Sequence, residues 1–285
     1  MKIGIDVGGT KCLGVAIDNS GNIVDQFRLP TPHANALCDT LVEIVSRLGE
    51  CSTLGIGVPG LITPDGVIRA SPNLVGVKEL ALRQMVEDRL GKKVFVENDA
   101  TCAALAEWKL GAAKGATDAW VITLGTGIGG GFISGSALQR GAHGFAGEVG
   151  HMVVDPDGPL CPCGRSGCWE RYASGNGLSD LAHGEKGEDV LARAKAGAAD
   201  AIDVVDTFAR WVALGLVNLT NMTDPDVVVI GGGVIVSADI VMPRIGYWFE
   251  QLLYSPKHRA HPRLVAAQLG EQAGAIGAAM LAPSV

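Results

Sequence analysis

The sequence predicts a duplicated α/β protein whose two halves face each other across a cleft. Near the N-terminus, and again about 120 residues later, an apolar strand leads into a Gly/Thr-rich turn and a second apolar strand. Elsewhere apolar strands alternate with amphipathic helices, and no low-complexity linker separates the halves. We therefore expect a small N-terminal domain, residues 1–115, joined by a C-terminal helix at 272–285, and a large domain, residues 116–271.

The elements of the first half are predicted from apolar periodicity. Apolar runs separated by Gly- and Asn-containing turns predict an antiparallel meander, followed by further buried strands. Apolar residues spaced at i, i+4, i+7 and i+8 after Ala36 predict an amphipathic helix that ends at Gly49. The predicted strands are 2–7, 12–17, 23–29, 53–58 and 94–97, and the other predicted helices are 79–90 and 100–110.

The second half repeats the opening pattern. An apolar strand at 119–124 leads into a turn at 125–131, and a returning strand opens at Phe132. Another apolar strand, 227–230, is closed by three glycines. The helices predicted in this half are 187–196, 198–221 and 272–281.

Composition restricts the possible partners and the location. The formal net charge is −7, so a nucleic-acid or anionic-membrane partner, which needs a basic face, is not expected. The chain opens directly on a strand pattern and no apolar run approaches ~18 residues, so neither export nor membrane insertion is expected. Four of the seven cysteines stand singly in apolar or helical contexts, which is typical of the reducing cytoplasm.

A set of metal-ligating residue types lies in the middle of the chain. His151 is followed by Cys161, Cys163 and Cys168, a set that fills a tetrahedral Zn²⁺ shell and leaves no position for water. The spacing differs from that of DNA-binding zinc fingers, so we expect a structural metal that holds a loop. The alternative is that these cysteines are simply buried or disulfide-bonded.

The glycine turns are suited to phosphate binding. Their backbone N–H groups are accessible because no Cβ intervenes, and hydroxyl and ammonium groups stand beside them. Asp6, at the end of the first strand, is placed to hold Mg²⁺ through water. The alternative is that the turns are only tight hairpins, although their repetition favours a nucleotide site. The predicted phosphate-binding residues are Gly8, Gly9, Thr10, Lys11, Thr126, Gly127, Gly232 and Gly233.

Two segments, beginning at Gly55 and Gly125, match the dinucleotide-binding pattern G-x-G-x-x-G. The first contains Pro59 and runs into a loop, and the second is followed by a strand instead of a helix. No helix N-terminus is then available for a pyrophosphate, so a Rossmann oxidoreductase is not expected.

Asp99 is the candidate catalytic base. It follows a predicted strand directly after Asn98, at the edge where open α/β sheets collect their ligands. The amide of Asn98 could hold a substrate while the Asp99 carboxylate accepts a proton from a substrate hydroxyl. The alternative is that both residues only cap the following helix.

Glu148 and Glu170 flank the predicted metal ligands, so a bound metal would fix both carboxylates. Together with His151 they offer hydrogen-bonding groups for a polyhydroxylated ligand, since a zinc-bound imidazole keeps one ring N–H to donate. The alternative is that the two glutamates are solvated loop charges.

Six segments occur in an order that is similar to one known family. They are Asp6-Val-Gly-Gly-Thr-Lys11, Glu97-Asn-Asp99-Ala, Leu124-Gly-Thr-Gly-Ile-Gly-Gly-Gly131, Glu148-Val-Gly-His151, Cys161-x-Cys163-Gly-x-x-Gly-Cys168-x-Glu170 and Ile230-Gly-Gly-Gly233. In combination they resemble the ROK family of sugar kinases, within the actin/Hsp70/hexokinase-like superfamily. The resemblance covers essentially the whole chain and is closest to the bacterial ROK glucokinases.

The resemblance implies the duplicated two-domain, ribonuclease H-like fold of that superfamily and ATP-dependent phosphorylation of the glucose 6-hydroxyl. Asp99 would be the catalytic base, and the glycine turns would hold ATP with Mg²⁺ on its phosphates. It also implies a homodimer or homotetramer, and His151 would serve both zinc and sugar. The implied sugar-binding residues are Gly60, Asn73, Asn98, Asp99, Glu148, His151 and Glu170.

Alternatives within the family remain open. Kinases for N-acetylglucosamine, N-acetylmannosamine, mannose and fructose share these motifs, and polyphosphate is an alternative phosphoryl donor. The segment 182–187 is short for the family, so the family pattern does not define the shape beside the sugar pocket here. Sugar-sensing ROK repressors carry a winged helix ahead of the first strand and often lose the catalytic aspartate. Here the strand begins at Lys2 and Asp99 is present, so a regulator is the less favoured interpretation.

Overall fold

The computed structural model of the protein describes residues 1–71, 74 and 76–282. The chain divides into two compact units. Unit 1 comprises Met1–Lys114, Leu138–Gly147 and Leu269–Val285, and unit 2 comprises Gly115–Ala137 and Glu148–Gln268. The described residues form two five-stranded sheets, one wholly in unit 1 and one almost wholly in unit 2, so the duplicated α/β architecture expected from the repeated strand–turn–strand pattern is confirmed.

The elements are numbered in chain order over the described residues. The strands are β1 (Lys2–Val7), β2 (Lys11–Ile17), β3 (Ile23–Pro30), β4 (Thr53–Val58), β5 (Leu61–Ile62), β6 (Ile68–Ala70), β7 (Lys78–Leu80), β8 (Val94–Asn98), β9 (Ala119–Leu124), β10 (Ile128–Ser134), β11 (Ala137–Gln139), β12 (Val227–Gly231) and β13 (Arg263–Ala266). The α-helices are α1 (Leu37–Leu48), α2 (Leu82–Leu90), α3 (Asp99–Lys109), α4 (Glu170–Ala173), α5 (Gly175–Leu181), α6 (Gly187–Lys195), α7 (Ala199–Thr223), α8 (Ala238–Leu252) and α9 (Ala273–Ala279).

The main sheet of unit 1 has the strand order β3-β2-β1-β4-β8. β1, β2 and β3 form the expected antiparallel meander. β4 pairs in parallel with β1, and β8 pairs in parallel with β4. The carboxyl ends of β1, β4 and β8 therefore meet at one edge, and Asp6 and Asn98 lie at that edge.

Helix α9 lies close against this sheet because two glycines allow the approach. Gly4 of β1 and Gly55 of β4 are direct register partners. A Cβ at Gly4 would overlap the carbonyl oxygen of Ala275, and a Cβ at Gly55 would overlap that of Ala278. Every residue of α9 is buried, and the helix lies within two residues at each end of the predicted helix 272–281.

Unit 1 also contains a small sheet of order β5-β6-β7, which sequence analysis did not predict in full. The helix predicted at 79–90 is wrong at its start, because β7 pairs with β6. Glu79 has φ +50°, a left-handed conformation that no α-helix contains. The helix of this segment, α2, begins at Leu82.

The second sheet, β11-β10-β9-β12-β13, repeats the strand order of the unit 1 sheet, and its edge strand β11 begins at Ala137 of unit 2 and continues into the segment Leu138–Gly147. β9 pairs antiparallel with β10 and parallel with β12, and β12 pairs parallel with β13. The turn predicted at 125–131 is shorter, because Ile128 already pairs with Leu124 and three glycines continue the ladder along β9. Glycine is a poor strand former, and here pairing overrides that preference.

The helices of unit 2 pack around Trp169, which is fully buried. Its Nε1 donates a hydrogen bond to the carbonyl of Trp211 at 2.7 Å. α6 and α7 occur where helices were predicted, within two residues at each end. α8 and β13 were not predicted, since α8 contains Pro243 in its interior and β13 is a short, partly buried strand.

The two units differ from the domains expected from the sequence. The segment Leu138–Gly147, assigned by sequence to the large domain, belongs to unit 1, and the two units are nearly equal in length. Arg140 holds this segment by an ion pair with Glu97 of β8, a contact that sequence alone does not indicate. None of the helices in the described part of the chain combines the length and apolarity that a membrane crossing needs.

Candidate active site and metal centre

The junction between β8 and α3 carries Asn98 and Asp99. Asn98 is the N-cap of α3, because its Oδ1 accepts a hydrogen bond from the N–H of Thr101 at 3.0 Å. Its Nδ2 donates to the carbonyl of Gly60 at 3.2 Å. Asp99 Oδ1 accepts the N–H of Ala100 at 2.8 Å. Helix capping therefore accounts for Asn98 and leaves a second oxygen of Asp99 for other chemistry.

Asp6 and Asp99 are two partly accessible carboxylates of unit 1. Burial raises the pKa of Asp99, and the hydrogen bond from Ala100 opposes this shift. Burial and the charge of Asp99 raise the pKa of Asp6 to about 7, against the opposing effect of the Lys11 ammonium. A Cβ at Gly274 would lie 2.7 Å from Asp6 Cγ, so glycine is required beside this carboxylate. Two neighbouring acidic groups that are only partly accessible to water favour a bound proton or cation.

Glu97 supports the same junction from inside the sheet. It is buried, with only 7% of its surface exposed. Its Oε2 accepts a hydrogen bond from Arg140 Nε at 2.5 Å, and its Oε1 accepts the N–H of Asn98 at 3.0 Å. The residue before the candidate site is thus a paired, buried acid.

The first glycine turn connects β1 and β2. The N–H of Gly8 donates to the carbonyl of Lys11 at 2.9 Å, and Thr31 Oγ1 donates to the carbonyl of Gly8 at 2.6 Å. The Lys11 ammonium, predicted to bind phosphate, contacts Glu271 Oε2 at 2.5 Å, and Arg28 binds the same carboxylate at 2.8 Å. These side chains are about half exposed, so the network is weak.

The remaining glycine turns end β9 and β12, which are neighbours in the unit 2 sheet. The N–H of Gly125 donates to the carbonyl of Gly127 at 3.0 Å, and Thr126 between them is exposed. Gly232 has φ +91°, and a Cβ there would overlap the backbone of Leu124. Gly9 and Thr10 of the first turn and Gly233 of the last are also exposed.

His151, Cys161, Cys163 and Cys168 converge in unit 2, and their ligand atoms all lie within 4.8 Å of one another. His151 Nδ1 is 3.7 Å from Cys161 Sγ, and Cys163 Sγ is 3.5 Å from Cys168 Sγ. All seven cysteines are free thiols, so the disulfide alternative is wrong. Tetrahedral zinc ligands lie about 3.5–3.8 Å apart, and this donor set fits such a site.

The loop that carries the cysteines depends on glycine. The N–H of Cys161 donates to the carbonyl of Arg165 at 2.7 Å, and the N–H of Gly164 returns to the carbonyl of Cys161 at 2.9 Å. Gly164 and Gly167 have φ of +91° and +69°, and a Cβ at Gly167 would overlap the carbonyl of Asp155. This backbone path brings the thiols together within a few residues.

Two carboxylates contact His151. Its Nε2 is 3.9 Å from Glu148 Oε2, and its Nδ1 is 3.6 Å from Glu170 Oε1. Glu170 Oε1 also lies 3.1 Å from Cys161 Sγ, while its Oε2 accepts the N–H of Ile128 at 3.4 Å. Both glutamates are partly buried, which distinguishes them from solvated loop charges.

The structure brings most of the predicted site residues into two groups, one in each unit. Asn73 lies outside the described residues. Sequence analysis missed the roles of Glu97, Arg140 and Glu271. An acid inside the apolar strand before Asn98 was a usable signal for Glu97, whereas no local pattern connects Arg140 or Glu271 with its partner.

Comparisons with known proteins identify the family. The sequence model of the ROK family matches residues 2–285. The glucokinase of Streptomyces coelicolor is 37% identical over 99% of this chain and 97% of its own length. An N-acetylmannosamine kinase of Escherichia coli is 36% identical over 98% of this chain and 97% of its own.

A solved structure gives the same assignment. The crystal structure of a ROK family glucokinase from Streptomyces griseus in complex with glucose and AMPPNP is 37% identical and superposes with a TM-score of 0.91, covering 99% of this chain and 98% of that one. The fold is accordingly the duplicated actin/hexokinase-like fold that the sequence resemblance implied. The chain belongs to the ROK family.

Proposed function

We propose that the protein is a hexose kinase that transfers the γ-phosphoryl group of ATP to the 6-hydroxyl of glucose. The observation that carries the proposal is the Asp99 carboxylate, which follows the substrate-binding candidate Asn98 and has no ion-pair partner in the described chain. The glucokinase of S. coelicolor and the S. griseus structure with glucose and AMPPNP support this choice of substrates.

Asp99 is the general base of this reaction. It accepts the proton of the sugar hydroxyl as that oxygen bonds to the γ-phosphorus, while the bond to the bridging oxygen of ADP breaks. The raised pKa of Asp99 makes the carboxylate a better proton acceptor than an exposed aspartate. The hydrogen bond from Ala100 holds one oxygen and fixes the direction of the other.

Asn98 holds the sugar beside this base. Its Oδ1 caps α3 and one amide N–H binds the Gly60 carbonyl, so the amide is already oriented before a ligand arrives. The second N–H of the amide can donate to a sugar hydroxyl. Preorganisation of this kind lowers the entropic cost of ligand binding.

The group in unit 2 supplies further sugar ligands. The four ligand residues would hold zinc, which neutralises the thiolates and fixes the loop when bound. Because Nδ1 of His151 faces the sulfurs, Nε2 stays available to donate to a sugar hydroxyl beside Glu148. Glu170 contacts the same cluster and offers carboxylate oxygens to the sugar.

Asp6 and the glycine turns serve the nucleotide. Burial and the charge of Asp99, which raise the pKa of Asp6, favour a cation beside this carboxylate. Mg²⁺ would supply positive charge for the phosphates of ATP there. The backbone N–H groups of the turns bind phosphate oxygens, and Lys11 exchanges the exposed Glu271 carboxylate for phosphate at small cost.

A second substrate remains in competition with glucose. The E. coli relative is an N-acetylmannosamine kinase at nearly the same identity, so the acetamido sugar is the alternative substrate. A non-catalytic sugar sensor is less favoured, because Asp99 is present. The cytoplasmic location and the homodimer or homotetramer stay predictions.

A coupled ADP-release assay tests the proposal. The purified protein is offered ATP with glucose, mannose, fructose, N-acetylglucosamine or N-acetylmannosamine, and polyphosphate replaces ATP in a second series with direct detection of the sugar phosphate. We expect the highest kcat/KM with glucose and ATP, and a loss of about 10³-fold or more in the kcat of Asp99→Asn. Preference for an acetamido sugar would reassign the substrate, and binding without turnover would support a sensor.

A further inference from the structure

Glu97 is an unusual residue for its position. It lies within β8, between the buried Val96 and the Asn98 cap, and is itself almost fully buried. A carboxylate removed from water is costly unless a charged group and hydrogen bonds compensate it. The helix-capping and catalytic roles of Asn98 and Asp99 give no reason for an acid here.

The two oxygens of Glu97 have separate partners. Oε2 accepts a charge-assisted hydrogen bond from Arg140 Nε at 2.5 Å, and Oε1 accepts the N–H of Asn98 at 3.0 Å. Asn98 in turn binds Thr101 and Gly60 through its side chain. A continuous chain of hydrogen bonds therefore runs from the Arg140 guanidinium to the residue that precedes Asp99.

Arg140 reaches this position from Leu138–Gly147, a segment outside the main sheet of unit 1. The segment is folded on itself, since the N–H of Ala146 donates to the carbonyl of Arg140 at 3.1 Å. It also contacts β5, where a Cβ at Gly144 (φ +87°) would overlap the carbonyl of Ile62. Arg140 is thus held at its backbone, although its side chain is 45% exposed.

From this arrangement we infer that Glu97 and Arg140 are positioning residues for the phosphoryl-transfer reaction. They touch neither the sugar nor the nucleotide, and they fix the backbone of Asn98 so that its amide and the Asp99 carboxylate point in the working direction. The inference rests on the proposed function, because it concerns the groups that bind and deprotonate the sugar. Displacements of about 1 Å at a reacting group cost on the order of 10²-fold in rate.

Kinetics of Arg140→Met, Arg140→Lys, Glu97→Gln and the Glu97→Gln/Arg140→Met double variant test the inference. We expect kcat with glucose to fall about 10- to 100-fold in Arg140→Met, with the KM for ATP nearly unchanged. Lysine keeps the charge and restores part of the rate. We expect the double variant to lose about as much kcat as either single variant, because each substitution breaks the same ion pair.

Arg89→Met is the matched control, since Arg89 also pairs with a carboxylate of unit 1, Asp39, at 2.8 Å. We expect it to leave kcat unchanged. If the pair is purely structural, Arg140→Met would lower the melting temperature, while kcat, measured well below that temperature, would stay at the wild-type value. That result, or additive losses in the double variant, would overturn the inference.

Hydrogen exchange of the unliganded protein provides a test that needs no substrate. In Arg140→Met we expect faster exchange of the amides of Asn98 and Thr101, with unchanged exchange at Leu54 in β4. Unchanged protection at Asn98 would overturn the inference even if glucose is phosphorylated. If the wild type phosphorylates no hexose, the proposed function fails, and the exchange experiment still decides whether Arg140 fixes Asn98.

Discussion

The β8–α3 junction and the cysteine loop carry the two groups of predicted sugar ligands, and they are held in different ways. At the junction, parallel strand pairing and the Asn98 cap fix the backbone by regular hydrogen bonds. In the loop that carries Cys161, Cys163 and Cys168, called the cysteine loop, strand pairing is limited to two isolated bridges, Val153 with Cys168 and Leu160 with Ser166. The polypeptide alone positions the candidate base, whereas the loop places three thiols and an imidazole where a metal would complete it.

The largest expected effect concerns the chemistry of the junction. Asp99→Asn removes the proton acceptor and should lower kcat by about 10³-fold or more, because general bases contribute about 10²–10⁴-fold. Asn98 still caps α3, so circular dichroism and the melting temperature should remain close to wild type or rise. Asp25→Asn, an exposed site on β3, is the control. Retention of most of kcat by Asp99→Asn would remove Asp99 as the base.

The next largest effect is expected from the packing of α9 against the sheet of unit 1. Gly55→Ala forces a Cβ against the Ala278 carbonyl and should lower the free energy of unfolding by about 2–4 kcal/mol. Urea denaturation measures the change, and zinc content of the protein that remains folded should stay the same. Gly246→Ala, where a new Cβ meets no atom within 4 Å, is the control. A loss of metal in Gly55→Ala would show that the metal site depends on packing against the unit 1 sheet, contrary to this expectation.

Metal removal addresses the loop. We expect about one zinc per chain, and we expect Cys161→Ser or chelation to weaken glucose binding by about 10- to 100-fold. Calorimetry of glucose binding and elemental analysis measure the two quantities together. Cys51→Ser, at a half-buried cysteine outside the loop, should change neither. A metal-free protein with full sugar affinity would show that the loop needs no metal.

The smallest expected effect is the pH dependence of stability. Because the pKa of folded Asp99 is raised above its ordinary value of 3.8, its contribution to stability is full below that value and is lost as the pH rises through the raised pKa. Asp99→Asn should therefore unfold at higher urea concentration than wild type at about pH 8 without Mg²⁺, and show no such gain at about pH 3. An equal gain at both pH values would contradict the burial of charge at Asp99.

The sequence alone predicted much of the fold and both groups of site residues. The strand–turn–strand repeats predicted the duplicated fold because apolar periodicity and glycine turns are local signals. The Cys161, Cys163 and Cys168 spacing indicated a metal site for the same reason. The position of Asn98-Asp99 followed from the edge rule for parallel sheets, which depends on strand direction only.

The features that sequence analysis missed depend on contacts between residues far apart in the chain or on an unusual backbone conformation. β7 replaced the start of a predicted helix because Lys78–Leu80 pairs with β6 and Glu79 is left-handed. The segment that carries Arg140 belongs to unit 1, where Arg140 pairs with Glu97, 43 residues earlier in the chain. The pairing of Lys11 with Glu271, 260 residues apart, likewise has no local signature.

Helix α9 has a consequence for how the protein is made. Its buried residues, the last helical ones described, fit against Gly4 and Gly55 near the start of the chain. During translation the ribosome releases β1 and β4 long before it releases α9, so this face of the sheet stays uncovered in the nascent chain. Any premature stop codon ahead of residue 273 leaves apolar surface exposed to chaperones and proteases.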